Sequence, residues 1–478
     1  MQDIVRDLKA IVGDKYCLSG DDPRESYDND RTAKFKGRSL AVVRPANTAE
    51  VSAVLKLANA ARIPVVPQSG NTGLAGGASV SSTADTIILS TNRMNHILDI
   101  NPVSRIAKVE AGVILANLHE AAAQHGLSFP LLFGARGSCM IGGNLSTNAG
   151  GSNVVRYGNT RTLCLGLEVV TPTGDVVNLM SELHKDNTGY DLKDLYIGAE
   201  GTLGVITKAV LKLVPTPKAY ATAMVSVPSI DGALALLHRL QSASGGGVEA
   251  FEYMPKNYFR HLARLDPSAQ MPFSEPAEIG ILIEVAATAT RDAQASEDGT
   301  IAVQNILLEA LSGMLETGEV LDATIAASEA QRKEMWRQRE MAFEIAYGLG
   351  HPLTTDVTVP LDRVAEFLKR ANAGLTRLAP NAELVEVAHL GDGNLHYTLS
   401  VDPASQQEPD KDIQTAIYTM IEDVLEDMNG SFSAEHGIGV LKLGSMARRK
   451  DKGALAVMRA IKSALDPNNI MNPGKVLP

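Results

Sequence analysis

The sequence predicts an α+β protein of more than one domain, and three observations carry that expectation. Its 478 residues suffice for two or three domains with sizeable cores. The first 215 or so residues are dense in short strand patterns and glycine. From about residue 220 longer helical patterns appear, interleaved with separate strands, and no repeat of fixed period runs through the chain.

The elements follow in order. "MQDIVRDLKAIVGDKYC" interleaves charged and apolar residues as an amphipathic helix does, without the basic start and apolar run of a signal peptide. "SLAVVRP" (39–45), "IPVVP" (63–67), "TIILS" (86–90) and "RIAKVEAG" (105–112) are strand-length runs bounded by turn residues. Helical spacing marks 48–62 and 113–126, the latter stopped by Gly126. "LEVVTPTGDVVNL" (167–179) reads as a hairpin around "TPTGD", and 204–220 as a strand with a proline-punctuated exit, which places a domain boundary near Pro215 to Pro217. Beyond it come the helical patterns "IDGALALLHRLQS", "IAVQNILLEALSGMLE", 361–375 and 412–428, and the strand "EIGILIEVAA" (278–287). "SASGGGVE" (242–249) and "DPASQQEPDKD" (402–412) are the most linker-like stretches.

Composition narrows the function classes. The chain is 45% hydrophobic and 21% charged, ordinary for a globular protein, with a single tryptophan, Trp336. A net charge of −11 disfavours nucleic acid as a partner, so a site for an anion must be locally basic. Cys17, Cys139 and Cys164 form no CxxC pair or disulfide ladder, which fits a reducing compartment. No run of 18 apolar residues could span a bilayer, and the expectation is a cytoplasmic protein, at most peripheral to a membrane.

Three glycine-rich segments lie in the first part. "VVPQSGNTGLAGGASV" (65–80) follows a strand, and the "ASVSSTADTIILS" after it carries no helical stripe, so it reads as a loop nest and not as a dinucleotide fingerprint opening a helix. "GARGSCMIGGNLSTNAGGSNVVRYGN" (134–159) reads as a long loop without regular structure, too apolar at Ile141, Leu145 and Val154 to be disordered. "YDLKDLYIGAEGTLGVIT" (190–207) again sets glycines beside a strand. Turn chemistry alone does not require three such segments in one domain; backbone wrapped on a large polar cofactor does.

In "VAHLGDGNLHYTLS" two of the ten histidines stand on either side of "GDGN". Taken as a hairpin with 391–394 as its loop, it pairs His389 with His396 and Leu390 with Leu395, putting both imidazoles on one face with Cβ atoms roughly 4.5–5.5 Å apart. An Asp-Gly turn carrying two surface histidines explains the hairpin equally well. "SFSAEHGIG" (431–439), with strand-like alternation, adds Glu435 and His436, and two histidines with a carboxylate form a metal-ligand set that leaves positions open for substrate.

Taken in order, "PQSGNTGLAGG", "IGGNLSTNAGG", "YDLKDLYIGAEGTLGVIT", "HLGDGNLH", "AEHGIG" and the terminal "MNPGK" resemble the flavin-dependent D-2-hydroxy-acid dehydrogenases over nearly the whole chain. That family, with its D-lactate and D-2-hydroxyglutarate dehydrogenases, belongs to the vanillyl-alcohol-oxidase-type FAD superfamily. The resemblance implies a two-part FAD-binding domain of that (PCMH) type over 1–217, an α+β substrate or cap domain with the metal site over 218–440, and a segment, 441–478, that returns to the FAD domain. It implies non-covalent FAD, since no histidine lies in 65–80. Pro67 and Gln68 would bind the cofactor, and Gly70, Asn71, Thr72, Gly73 and Leu74 would lie at the pyrophosphate. Gly137, Ser138, Gly142, Gly143, Asn144, Thr147, Asn148 and Gly150 would surround the flavin. Glu200, Gly201, Gly204 and Ile206 would stand near the nucleotide, with Asn472 closing the site. It assigns His389, His396 and Glu435 to a divalent metal, zinc or manganese, and His436 to catalysis as the base. Arg337 is favoured over Arg339 as the clamp on the substrate carboxylate, and Asn394 adds a hydrogen bond to substrate.

The implied reaction is oxidation of a small anionic D-2-hydroxy acid to the 2-oxo acid, with hydride passing to the flavin. Two positions depart from the hydroxyglutarate-oxidising pattern: Met341 replaces a threonine four residues after the arginine, and Thr354 a lysine two before the aspartate of "TTDVTVP". They favour an acid such as D-lactate over D-2-hydroxyglutarate. A quinone, a cytochrome or an electron-transfer flavoprotein would be the electron acceptor, and relatives commonly form homodimers. The rival readings are a metallohydrolase on the His–His–Glu set, an FAD-dependent alkyl transferase, and a non-catalytic FAD-binding subunit.

Overall fold

The computed structural model describes residues 2–32, 34–80, 85–275, 277–295, 299–403, 405 and 407–478. Residues 81–84 of the stretch after the first glycine loop, and Ala404 and Gln406 of the 402–412 stretch, lie outside the described residues. The chain divides into two compact units, one of residues 1–150, 158–215 and 435–478, the other of 151–157 and 216–434. Among the described residues no helix is long and apolar enough to cross a membrane.

In the first unit β1 (Cys17–Ser19), β2 (Ala41–Val43), β3 (Val65–Gln68) and β4 (Ile87–Ser90) form a sheet in the order β1-β2-β4-β3. The last three run parallel, so a crossover must join β2 to β3. Helix Thr48–Ala61 is that crossover: the Asn47 side chain caps it by accepting from Glu50 N, and Arg62 ends it in the left-handed conformation. A second, antiparallel sheet comprises β5 (Ile97–Asn101), β6 (Ile106–Glu110), β8 (Cys164–Val170), β9 (Val176–Leu179) and β10 (Val205–Lys212), ordered β5-β6-β10-β8-β9. β7 (Leu127–Ser128) and β11 (Val214–Pro215) form a short ribbon.

The C-terminal segment belongs to this unit. Met471 bridges to Val65, extending the edge of β3, and Asp466 Oδ1 and Oδ2 accept from Ile470 N (3.0 Å) and Met471 N (2.8 Å). The return to this unit begins at Glu435 and not after residue 440, since Ile438 N and Gly439 N donate to Glu200 and Val440 N donates to Ala75 O. Residues 151–157 fall in the second unit because Arg156 Nη1 (2.8 Å) and Tyr157 OH (2.6 Å) both donate to Glu249.

Two sequence expectations fail here. The 134–159 run is not structureless: Ile141–Ser146 and Val154–Tyr157 are helical. The first lacks an apolar stripe because it packs by backbone. A Cβ on Gly143 would stand 2.4 Å from Ser69 O, so glycine does what a side-chain period does elsewhere. The alternating "SFSAEHGIG" makes no strand, only an isolated bridge from Ser431 to Thr358.

The second unit is a seven-stranded sheet of β12 (Ala219–Val227), β13 (Val248–Pro255), β14 (Ile279–Ala287), β15 (Asp322–Ile325), β16 (Leu353–Thr358), β17 (Glu383–His389) and β18 (Asn394–Ser400). Their order is β15-β12-β14-β13-β17-β18-β16, antiparallel throughout. Alternation sends Val225, Ile283, Phe251, Leu395 and Leu399 to one face, covered by helices Ile230–Ala243, Ala302–Thr317, Val364–Leu378 and Lys411–Asp427. Met224, Leu282, Met254, Val385 and Val387 line the other, under helices Lys256–Leu265, Glu329–Glu340 and Ala342–Gly348. The glycine stretch at 244–247 is a turn inside this unit and joins no domains.

Glu386 lies on the first of these faces among apolar neighbours, accepting from Tyr253 OH at 3.0 Å, and burial pushes its carboxyl up to about 7. The native state therefore keeps a proton that the unfolded chain releases near 4.5, and stability falls as pH rises from about 4.5 to about 7. That span corresponds to roughly 3 kcal/mol. Glu386→Gln should lack this contribution, so denaturant midpoints across the window should fall more steeply for the parent chain than for the variant; parallel profiles would refute the assignment.

Candidate functional site

The glycine segments of the first unit converge. A Cβ on Gly70 (φ 87) would meet Ser138 O and Met140 N at 2.9 Å, so the first loop lies directly on the 138–140 backbone. A Cβ built on Gly201 would stand 3.0 Å from Pro67, one on Gly77 3.0 Å from Glu200 Oε2, and one on Gly439 2.0 Å from Ala75 O. Glu200 N donates to Ser146 O (2.8 Å), which joins the second segment to the third. Asn472 Nδ2 donates to Gly77 O (2.9 Å) and Glu200 O (2.7 Å), tying the first and third loops to the chain's end.

Charge inside this cluster is compensated by backbone. Glu200 is buried, and its carboxylate accepts from Ile438 N (2.7 Å) and Gly439 N (2.9 Å). Burial still pushes its carboxyl up, against those amides. Lys475, donating to Ser79 O at 2.7 Å, is pushed down to about 8 by burial, which Glu200 opposes.

Of the other expected cofactor residues, Gln68 Nε2 holds Tyr27 O (2.9 Å) and Asn71, itself left-handed, holds Asn29 O (2.9 Å). Thr147 Oγ1 bonds back to Gly143 O (3.1 Å), and Asn148 Oδ1 accepts from Arg161 N (2.9 Å). Asn144 Nδ2 is buried without an aligned partner. Ile206 packs inside β10, and nothing stands within 4 Å of a Cβ built on Gly73 or Gly137. Consecutive left-handed residues at Gly70 and Asn71, and a buried amide donor with spare capacity, suit a ligand with many polar acceptors.

In the second unit the histidine hairpin exists with a different register. His389 pairs with Asn394, Ala388 with Leu395 and Val387 with His396, so the expected pairing of His389 with His396 is wrong by two residues. The loop is Leu390–Gly393, closed by Gly393 (φ 79) and by Asp392 Oδ1 accepting from Asn394 N (3.1 Å). A slip of two keeps side-chain parity, and the imidazoles still share a face as diagonal neighbours, their ring centroids 5.2 Å apart at 84°.

That register gives each imidazole a buried carboxylate directly across the sheet. Glu252 of β13 pairs with His389 and its Oε1 lies 2.8 Å from Nδ1; Asp356 of β16 pairs with His396 and lies 3.9 Å from its Nδ1. Burial alone would raise the Glu252 carboxyl, but His389 and Arg339 outweigh it and hold it low. Asn394 Nδ2 donates to Asp356 Oδ1 (2.9 Å) and Val357 O (3.0 Å), so its amide nitrogen is engaged by protein, while its Oδ1 is buried without an aligned partner. Ala434 N donates to Asp356 O, and the two residues that follow, Glu435 and His436, enter the same cluster. His389, His396 and Glu435 each bring one ligand atom within 4.8 Å of the others, and Asp356, His396 and His436 form a second such group.

The two arginines of helix Glu329–Glu340 point to different partners. Arg337 is part exposed and ion-paired with Asp266 (2.8 Å) and Glu334 (2.7 Å). Arg339 is buried and reaches Glu252 at 2.8 Å. Sequence reasoning overlooked Glu252 and Asp356, although an acid inside each of the apolar strands "VEAFEYMP" and "LTTDVTVP" is a signal that it must have a partner.

Known proteins resemble this chain in sequence and in fold. A family model described as "FAD binding domain" matches residues 39–180, and one described as "FAD linked oxidases, C-terminal domain" matches residues 216–476. A D-2-hydroxyglutarate dehydrogenase of Xanthomonas citri pv. viticola is 37% identical over 452 residues, covering 95% of this chain and 92% of the relative. One of Stutzerimonas stutzeri is 34% identical over 476 residues, covering 99% and 98%. Among solved structures, p-cresol methylhydroxylase with bound substrate superposes with a TM-score of 0.73 at 16% identity, over 99% of this chain and 96% of that one. Alkyldihydroxyacetonephosphate synthase gives 0.72 at 18% identity, over 99% and 84%. At such identities the likeness carries the fold alone, and that fold is the two-part FAD-binding type of the vanillyl-alcohol-oxidase superfamily.

Gly143→Ala tests the close packing of the loops. With 2.4 Å between the new Cβ and Ser69 O, the variant should lose about 1–3 kcal/mol of stability and leave purification with less bound flavin, read from its visible absorbance. Unchanged melting and flavin content would show that the loops yield without cost.

Proposed function

We propose that this chain, which belongs to the FAD-linked oxidases, oxidises a D-2-hydroxy acid to its 2-oxo acid, with D-2-hydroxyglutarate as the favoured substrate. The observation that carries the chemistry is the gathering of His389, His396 and Glu435, with His436 next in the chain. Ligand atoms at about 2.0–2.2 Å from one ion stand roughly 3–4 Å from each other, and a spread within 4.8 Å is close to that requirement. The donor set therefore fits a divalent ion; two imidazole nitrogens and a carboxylate oxygen suit zinc and manganese alike.

FAD, held non-covalently by the loop cluster, would supply the hydride acceptor. A divalent ion held by His389, His396 and Glu435 would supply a Lewis acid for the bound substrate. The protein's own residues do the rest in this reading. An imidazole nitrogen of His436 takes the hydroxyl proton, which requires that the ring be neutral beforehand. Asn394 keeps Asp356 turned toward His396, and its partnerless Oδ1 is the atom it has left to offer a substrate hydroxyl. Arg337, part exposed and multiply paired, would exchange Glu334 or Asp266 for a substrate carboxylate.

The names of the relatives favour the dicarboxylic acid over the lactate-sized acid that Met341 and Thr354 suggest. One observation keeps the smaller acid as a second reading: Met341 Sδ stands 3.1 Å from Arg337 Nη1, so a thioether occupies the place beside that arginine.

Anaerobic mixing with a panel of D- and L-2-hydroxy acids tests the reading. D-2-hydroxyglutarate should bleach the flavin with the highest kcat/KM, and prior treatment with a chelator should abolish bleaching until zinc or manganese is restored. Bleaching by L-acids alone, or indifference to the chelator, would overturn the stereochemistry or the metal. His436→Ala should lower kcat by ~10²–10⁴-fold with little change in KM, and the parent's rate should decline on acidification as the base is protonated. A kcat unaltered in the variant would remove His436 from the reaction.

A further inference from the structure

His389 could bind an ion through either ring nitrogen. A neutral imidazole has one N–H and one lone pair, and whatever accepts the N–H decides which nitrogen is left for the metal. Glu252 is placed to make that decision. It sits directly across from His389 in the β13–β17 pairing, with Oε1 2.8 Å from Nδ1. A carboxylate there accepts a hydrogen bond from Nδ1–H and donates none, which leaves Nε2 as the ligand atom.

Glu252 is itself fixed. Its side chain is 1% exposed and that of Arg339, 2.8 Å away, is 9% exposed. The contact is an ion pair and not an aligned hydrogen bond, for Glu252 Oε2 and Arg339 Nη2 both lack one. Arg339 sits near the end of helix Glu329–Glu340, which Tyr258 OH pins by donating to Gln338 O (2.6 Å) and Arg339 O (3.2 Å). Two charges so deeply buried are costly to a fold that could use apolar residues instead, and a role beyond packing accounts for them.

We infer that Glu252, clamped by Arg339, is a positioning residue that orients His389 and sets its tautomer so that Nε2 faces a divalent ion. The inference rests on the metal site proposed above. It also explains why Arg339, two residues from Arg337, is turned inward: it serves the carboxylate behind the ligand and leaves the substrate to its neighbour.

The test measures affinity for Zn²⁺ and for Mn²⁺ on the full-length flavoprotein, stripped and then titrated against a competing chelator. Glu252→Gln should weaken binding by about 10–100-fold while flavin content stays near that of the parent, at some cost in melting temperature. Because that variant strands a buried Arg339, the double variant Glu252→Gln/Arg339→Gln serves as its partner: it removes both charges and should fold while still binding the ions 10–100-fold more weakly. Affinity within about twofold of the parent in a folded variant would overturn the inference. Loss of cooperative melting in both variants would overturn it too, by assigning the pair to the sheet. A parent chain that binds neither ion sinks the metal site itself, an outcome distinct from a binding parent with indifferent variants.

Discussion

Asn472, in a left-handed conformation near the end of the chain, donates its two amide hydrogens to carbonyls of loops that lie far upstream, Gly77 O and Glu200 O. The contact is possible only because backbone approaches backbone there without side chains between. Gly70 on Ser138, Gly143 on Ser69 and Gly439 on Ala75 all stand at separations that a Cβ would violate. A wall made of main chain presents amides and carbonyls at fixed positions, with no rotamers to freeze on binding. That is a suitable surface for a long, polar, multiply charged cofactor. It also explains why the segment from Glu435 onward returns to this unit, since it carries Gly437, Gly439 and Asn472 into the same cluster.

The second unit solves a different problem. Its sheet must bury two faces and still present polar groups on one of them. Along β17, Val385 and Val387 fill the apolar end of a face and His389 continues it; across the sheet Met254 gives way to Glu252 in the same fashion. Each polar side chain that departs from the apolar pattern has a partner one strand away, Glu252 for His389 and Asp356 for His396. Cross-strand pairing thus turns four isolated violations of patterning into two compensated pairs. The net charge of −11 makes the local balance more telling, because two histidines and Arg339 gather where buried acids would otherwise stand alone.

Both units show where reading by pattern fails. The 134–159 run looks unstructured because helix Ile141–Ser146 buries its backbone, and apolar periodicity measures side chains. "SFSAEHGIG" alternates like a strand, yet it meets β16 only at the Ser431–Thr358 bridge and at the bond from Ala434 N to Asp356 O, and it forms no ladder. The histidine hairpin is legible down to the shared face, but the turn geometry at Leu390–Gly393 shifts the pairing by two. Since the side-chain period of a strand is itself two, that error left the conclusion about the face intact.

The sequence by itself determined the class of fold, many of the strands and longer helices to within a few residues, the family through six ordered motifs, and the two histidines as companions. Those are local properties: period, turn residues and short motifs act between near neighbours in the chain. Only the tertiary structure decided which acid stands behind which histidine, which of two adjacent arginines turns inward, and that Asn472 holds two distant loops at once. Each of these joins residues whose separation in the chain is unrelated to their separation in space, and a pairing of that kind is settled by strand register and packing.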